Sequence, residues 1–230
     1  MEDSPRILIQ KNGPYKVEGS VPLASEVAET DLYLPTGWKK EQTFPTRSSY
    51  LLCRCGKSSR MPFCDGAHSK SGFDGTETAS NESFVSQAQR YSGPGLDLDD
   101  AKALCSGARF CDRKGGTWHL VEKSDDAEAR GIALQQACDC PSGRLVAIDK
   151  ESGAPIEPEL QKSISVTQDA GARASGPLWV KGGIPVVSEK GTEYEVRNRV
   201  TLCRCGNSRN KPFCDGSHIA TKFNDGALEQ

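Results

Sequence analysis

A chain of 230 residues has room for two or three small domains and a core of ordinary size. Its hydrophobic share of 36% and mean hydropathy of -0.55 describe a soluble protein, and a net charge of -2 argues against a general electrostatic attraction to nucleic acid or anionic membrane. No stretch approaches the ~20 apolar residues of a membrane span, and residues 1–15 lack the basic and apolar regions of a secretory signal. The expected location is therefore the cytosol.

Residues 6–23 are expected to form two short strands around the turn signal Asn12-Gly13-Pro14, with alternating apolar positions at Tyr15, Val17 and Val21. A related pattern returns late in the chain. Gly13 to Leu23 aligns with Gly176 to Val186, sharing Gly, Pro, Val, Gly and Pro in register, so a whole module is repeated. The polar stretch 24–46, with turn-prone Leu34-Pro35-Thr36-Gly37, holds about thirteen residues that the second copy lacks and is expected to be a surface excursion.

Residues 81–94, within the wider polar stretch 74–95, are expected to be a linker. A helix is predicted within 97–110 from an acidic cluster followed by Ala101, Leu104 and Ala108, and a strand over 117–122. A second helix is predicted after Ser124 as its N-cap, using Ala127, Ile132, Leu134 and Ala137, and a strand over 144–149. The expected organisation is a module at 1–80, a linker at 81–94, a middle unit at 95–150, a Pro-containing linker at 151–161 and a second module at 162–230.

All ten cysteines fall into three groups: 53/55/64, 105/111/138/140 and 203/205/214. In a cytosolic chain, clustered thiols point to metal rather than to disulfides. Cys53 to His68 and Cys203 to His218 share the spacing C-x-C-x8-C-x3-H and are identical at eleven of sixteen positions. In an extended segment Cys53/Cys55 and Cys203/Cys205 each point to one face. Cys64/His68 and Cys214/His218 are i,i+4 pairs that share a face of a helical turn, with Asp65 and Asp215 placed to cap it. Each motif thus offers two jaws of two ligands. Spacing alone also admits structural zinc, for which three cysteines and a histidine are a familiar set.

Both motifs satisfy the pattern C-x-C-x2-(S/T)-x3-P-x-C-D-G-(S/A/T)-H, including Ser58/Ser208 and Pro62/Pro212. They resemble the CDGSH iron-sulfur domain family, which includes mitoNEET-like proteins. The resemblance implies a [2Fe-2S] cluster in each motif, with Cys53 and Cys55 on one iron and Cys64 and His68 on the other; Cys203, Cys205, Cys214 and His218 repeat the set. One neutral imidazole in place of a thiolate implies a potential above that of all-cysteine plant-type sites. Because the ligating nitrogen must be deprotonated, the clusters are expected to be acid-labile and their reduction to be coupled to protons. Arg54 and Arg204 are candidates for stabilising cluster charge, the other reading being solvated side chains, and Phe63 and Phe213 are expected to be packing residues. Members of the family pair two such units, so the two modules are expected to form an intramolecular pseudo-dimer in a monomer, with a homodimer as the alternative.

In the middle unit, Cys105 and Cys111 with a distant Cys140-Pro141 resemble a divergent single-cluster bacterial ferredoxin, with Ala108 where a second ligand would sit. Three cysteines would suit a [3Fe-4S] cluster, whereas Cys138 would complete a four-cysteine set for [4Fe-4S]. The other reading keeps these cysteines as small buried residues without a cluster. His119 is expected to be a surface or packing residue.

The expected fold class is α+β: two small β-rich modules and a small ferredoxin-like unit. No catalytic triad, phosphate loop or dinucleotide fingerprint is present, so no substrate-converting activity is expected. The expected function is electron transfer through two [2Fe-2S] clusters and a third in the middle unit, with cluster carriage or redox and pH sensing as alternatives. The expected partners are redox proteins or apo iron-sulfur acceptors, with neither nucleic acid nor membrane among them.

Overall fold

A computed structural model describes residues 4–229, and its architecture is α+β. Alternation places Ile7, Ile9, Tyr15 and Val17 in the core, and this pattern makes β1 (Arg6–Ile9) and β2 (Tyr15–Glu18) an antiparallel pair. Beyond β2 the chain leaves this sheet and enters a second one as β3 (Leu23–Asp31), which returns as β4 (Leu34–Phe44) before β5 (Ser49–Leu52) pairs with β2.

The C-terminal segment repeats the course. Strands β10 (Ser163–Asp169) and β11 (Ala174–Lys181) pair, β12 (Val186–Val187) crosses to the first sheet, and β13 (Arg199–Leu202) returns to β11. The crossings are reciprocal: β12 lies parallel to β1, while β3 lies parallel to β10. The sheet orders are β12-β1-β2-β5 and β13-β11-β10-β3-β4, so each sheet contains strands from both ends of the chain. Ile7, Tyr15, Val17, Leu52, Ile164, Leu178, Val180 and Leu202 share one core. Neither terminal segment closes its own apolar face.

Residues 24–46 are not a loose excursion. They form the β3–β4 hairpin, which widens the second sheet and turns at Leu32–Tyr33 instead of at Leu34–Gly37. Trp38 on β4 stands 5.4 Å from Trp179 and 5.3 Å from Phe110 (ring centroids), joining that sheet to the middle unit. Arg109 strengthens the join by donating to the Tyr33 carbonyl (2.7 Å) and pairing with Asp169 (2.6 Å).

The middle unit differs from expectation in several elements. Residues 81–94 hold α1 (Phe84–Gln87) and β6 (Gln89–Ser92) in place of a bare linker. The helix predicted within 97–110 is instead β7 (Leu96–Asp100) followed by a short 3₁₀ turn at 102–104. Leu96 and Leu98 alternate into the core, while the intervening Asp97 pairs with Lys150 and the following Asp99, itself buried, with Arg90. The predicted strand is α2 (Thr117–Glu122), since Thr117, Leu120 and Val121 bury one helical face. The next helix, α3 (Ala127–Asp139), is capped by Asp126, which accepts from the Ala129 amide at 2.8 Å. Ser124 accepts from the amides of Gly95 and Leu96 instead. Ala129, Ala133, Gln136 and Ala137 are the buried positions of α3, and Ala127 is exposed. Strand β8 (Leu145–Asp149) follows as expected, and β9 (Pro155–Ile156) completes the sheet β6-β7-β8-β9 within the expected second linker.

Arginines dock this unit on the second sheet. Arg199, at the start of β13, is 1% exposed and donates to the carbonyls of Cys140 (2.7 Å) and Ala137 (2.9 Å). Arg197 reaches the Gly143 carbonyl. Such buried guanidinium-to-carbonyl bonds fix position, because a guanidinium left without acceptors in a dry interface is costly.

Tyr15 ties the first sheet to the second motif. Its hydroxyl is fully buried and donates to the carbonyls of Cys203 (2.8 Å) and Pro212 (3.1 Å). Tyr15→Phe strips the Cys203 carbonyl of this donor and is expected to destabilise the protein by about 1–3 kcal/mol. Chemical denaturation followed by circular dichroism reads the shift in midpoint.

Candidate metal centres

The two motifs are built alike. Cys53 and Cys55 follow β5, with their sulfurs 3.7 Å apart; Cys203 and Cys205 follow β13 with the same 3.7 Å. Cys64 Sγ lies 3.4 Å from His68 Nδ1, and Cys214 Sγ lies 3.4 Å from His218 Nδ1. Two sulfurs on one tetrahedral metal with bonds of about 2.3 Å would stand about 3.8 Å apart, and a sulfur and an imidazole nitrogen about 3.5 Å. Each pair therefore has the span of two donors on one metal atom. No three His, Cys, Asp or Glu side chains converge on one ion position among the described residues. The donors come as two pairs in each motif.

The peptide frame holds these pairs. The Ser58 hydroxyl donates to the Phe63 carbonyl (2.6 Å) and Ser208 to the Phe213 carbonyl (2.7 Å). Asp65 accepts from the Ser59 and Ala67 amides, and these bonds hold its carboxyl well below the usual range. Asp215 accepts in the same way from Arg209 and Ser217. His68 sits in a 3₁₀ turn at 67–69, and His218 in α4 (Ser217–Ala220). Phe63 packs edge-on against Phe44 and Tyr50, and Phe213 against Tyr194, so both are packing residues.

The C-x-C loops stand back to back, with Cys55 bridging Cys205 in antiparallel fashion. Gly56 and Gly206 make the approach possible. A Cβ on Gly56 would lie 2.5 Å from the Cys205 carbonyl oxygen, and one on Gly206 would lie 2.6 Å from that of Cys55. Their φ values of 72° and 83° favour glycine as well.

The motifs differ in solvent contact. His68 is half-buried, whereas His218 is 4% exposed. Burial, reinforced by the nearby Arg204 charge, lowers the His218 pKa to about 4, so its imidazole is neutral and ready to ligate at physiological pH. Burial also raises the Cys214 thiol and takes that of Cys55 to about 11. Metal uptake here must displace protons. Arg54 and Arg204, which the sequence left open to a solvated reading, are each 1% exposed.

In the middle unit, Cys105, Cys111 and Cys140 line one cavity together with Gly107, Ala108, Ser142 and Arg144. Cys138 does not line it. Its thiol is raised chiefly by burial, with Arg199 and Asp139 as its charged neighbours. Asp139, the one residue between Cys138 and Cys140, is the last of α3, so Cys138 lies on the helix while Cys140 lies beyond its end and enters the cavity. Arg144 is a site residue that sequence reasoning missed. It makes a two-pronged pair with Asp100 (2.5 and 2.7 Å), lies 5.3 Å from the Trp118 ring centroid and bears on Cys105. Only a basic residue four positions after a cysteine signalled it. His119 lies on the surface of α2 near Glu122.

This cavity abuts the second motif. The Ser106–Gly107 backbone packs on Gly216, and Asn210 donates to the Ala103 carbonyl at 2.9 Å. The three sites therefore follow in the order middle, second, first.

Comparison with family models matches residues 12–69 and 175–219 to the family described as iron-binding zinc finger CDGSH type. Residues 91–150 match a divergent 4Fe-4S mono-cluster family. The chain is an iron-sulfur binding protein in which two CDGSH domains flank a divergent 4Fe-4S domain. Comparisons with curated proteins and with solved structures find no match.

The sign of the pH effect follows from His218. Its folded pKa lies below the unfolded value of about 6.5, so its stabilising contribution is complete above that pH and is lost as pH falls through about 4. Because a protonated imidazole cannot ligate, acid titration is expected to bleach the second site. Visible absorbance checks this: His218→Cys is expected to hold its colour to lower pH, and loss at the wild-type pH and rate would exclude imidazole protonation as the trigger.

Proposed function

We propose that this chain is an electron-transfer protein carrying a [2Fe-2S] cluster in each CDGSH motif. Cys53, Cys55, Cys64 and His68 hold the first cluster, and Cys203, Cys205, Cys214 and His218 the second. The observation that carries this reading is the pairing of donors at 3.7 and 3.4 Å in both motifs. When bound, each cluster accepts and returns one electron. The chain's own residues keep the His218 imidazole neutral, fix the donor pairs through Ser58/Ser208 and Asp65/Asp215, and bury the second site. Rigid donors favour electron transfer because little has to move when charge changes.

In the middle unit, Cys105, Cys111 and Cys140 would hold a third cluster, of [3Fe-4S] type or of [4Fe-4S] type with a fourth ligand other than Cys138. The shared cavity and the adjacent Arg144 cation support this. Reciprocal strand crossing supports reading the terminal modules as an intramolecular pseudo-dimer, and hence a monomer. No helix among the described residues is long and apolar enough to cross a membrane. A cytosolic electron carrier serving protein redox partners accords with that.

One observation favours a second reading. The half-buried His68 is a single imidazole ligand near solvent, which suits release of the first cluster to an apo acceptor. Cycling the purified protein between dithionite and air separates the readings. An electron carrier is expected to bleach and recover repeatedly with its iron retained, and resistance to reduction would contradict it. Fast passage of iron and sulfide to apo-ferredoxin would favour carriage instead.

A further inference from the structure

The two CDGSH motifs differ at one buried position behind their C-x-C pairs. The spacing from Cys64 to Phe73 equals that from Cys214 to Phe223, so the register sets Gly75 opposite Asp225. Both intervening arginines are 1% exposed, and both lie over the phenylalanine of their own module: Arg54 is 5.7 Å from the Phe73 centroid and Arg204 is 5.1 Å from that of Phe223. Their charge partners are unlike.

Arg204 is neutralised. Its Nη1 stands 2.5 Å from Asp225, while Nε and Nη2 donate to the carbonyls of Gly176 (2.7 Å) and Thr167 (3.2 Å). Asp225 is itself held by Gln168 and by the Ser175 hydroxyl. Arg54, by contrast, has the Gly75 carbonyl at 2.6 Å from Nη2, and its Nε and Nη1 have no acceptor among the described residues. A Cβ built on Gly75 would stand 2.8 Å from Nη1 and 3.0 Å from the Asn12 Cα and the Phe73 ring, so the position facing this guanidinium is a closely packed glycine with no carboxylate. Asp74 bears weakly on Arg54, but it is exposed and turned to the Thr76 amide at 2.9 Å. The remaining close neighbour is the Tyr15 ring, 5.5 Å from the guanidinium.

A buried charge acts through a low effective dielectric and is poorly screened. Reduction adds one negative charge to an iron-sulfur cluster, whose potential follows the net charge and solvent exposure around it. We propose that Arg54 and Asp225 set the two sites to different potentials, the un-neutralised Arg54 making the first CDGSH site the preferred holder of a single electron. The step is a one-electron reduction by an external donor such as dithionite or a reduced flavin, with no ligand bond broken. The half-exposed first site thereby becomes the terminus toward solvent, and the second, enclosed beside the middle unit, the relay behind it.

This inference rests on both motifs holding [2Fe-2S] clusters. Iron and sulfide analysis of the full-length holoprotein tests that basis separately. Redox titration followed by EPR then tests the inference, with His68→Cys and His218→Cys assigning each signal to its site. In the wild type the first-site signal is expected to appear at the higher potential. Greater enclosure of the second site would give the same order, so two variants carry the decision. Asp225→Asn, close in shape, is expected to raise the second-site midpoint and leave the first unmoved. Gly75→Asp is expected to lower the first-site midpoint and leave the second unmoved. Zinc without sulfide in the motifs would overturn the underlying reading. Loaded sites with the second reducing first, or variants that leave their own site's midpoint unchanged, would overturn the inference itself. If one variant fails to fold, the midpoint shift in the other decides.

Discussion

The back-to-back contact of the C-x-C loops, sealed by the Cys55–Cys205 bridge, is the constraint on which the rest depends. Bringing two peptide backbones this close leaves no space for side chains at Gly56 and Gly206. It also requires the strands that deliver the loops, β5 and β13, to be anchored in separate sheets facing one core. Reciprocal crossing of β3 and β12 supplies that anchoring, since each sheet is completed by a strand from the other end of the chain. The sites are thereby fixed relative to each other by the same core that stabilises the fold.

Asymmetry enters through what is added to this near-twofold frame. The β3–β4 hairpin extends one sheet only, and Trp38, Arg109 and Arg199 fasten the middle unit on that side. The second site is consequently enclosed, with His218 buried and the Ser106–Gly107 backbone against Gly216. The first site stays near solvent. Two motifs of nearly the same sequence thus acquire different burial, and a carboxylate partner for Arg204 that Arg54 lacks.

The site was more legible in the sequence than the fold. Ligand spacing is a local property: three cysteines and a histidine at fixed offsets, with Ser58, Pro62 and Asp65 between them, specify a loop whatever surrounds it. The strands at β1 and β2 are likewise carried by local alternation, and β8 by a continuous apolar run. The failures came where partners are distant. Leu96 and Leu98 alternate as a strand should, but the acidic residues among them looked like a helix cap until Arg90, Arg144 and Lys150 were seen to pair with them. Thr117, Leu120 and Val121 admitted either period over a stretch of six residues, and packing on α3 decided it. The hairpin at 24–46 is polar because much of it faces water, so nothing local showed that it extends a sheet begun more than 130 residues later. Cys138 illustrates the same limit: proximity to Cys140 in sequence says nothing about which side of a helix end each occupies.

The charge environment was the least legible. Arg54 and Arg204 occupy equivalent places in matching motifs, and only the fold shows that one has a buried carboxylate and the other a glycine facing it. The central claim remains that each motif is a two-iron site and not a zinc knot. Iron and acid-labile sulfide analysis with EPR of the dithionite-reduced protein tests it most directly. The expected result is iron accompanied by sulfide in both motifs and S = 1/2 signals from reduced [2Fe-2S] centres; zinc without sulfide and no such signal would contradict the account.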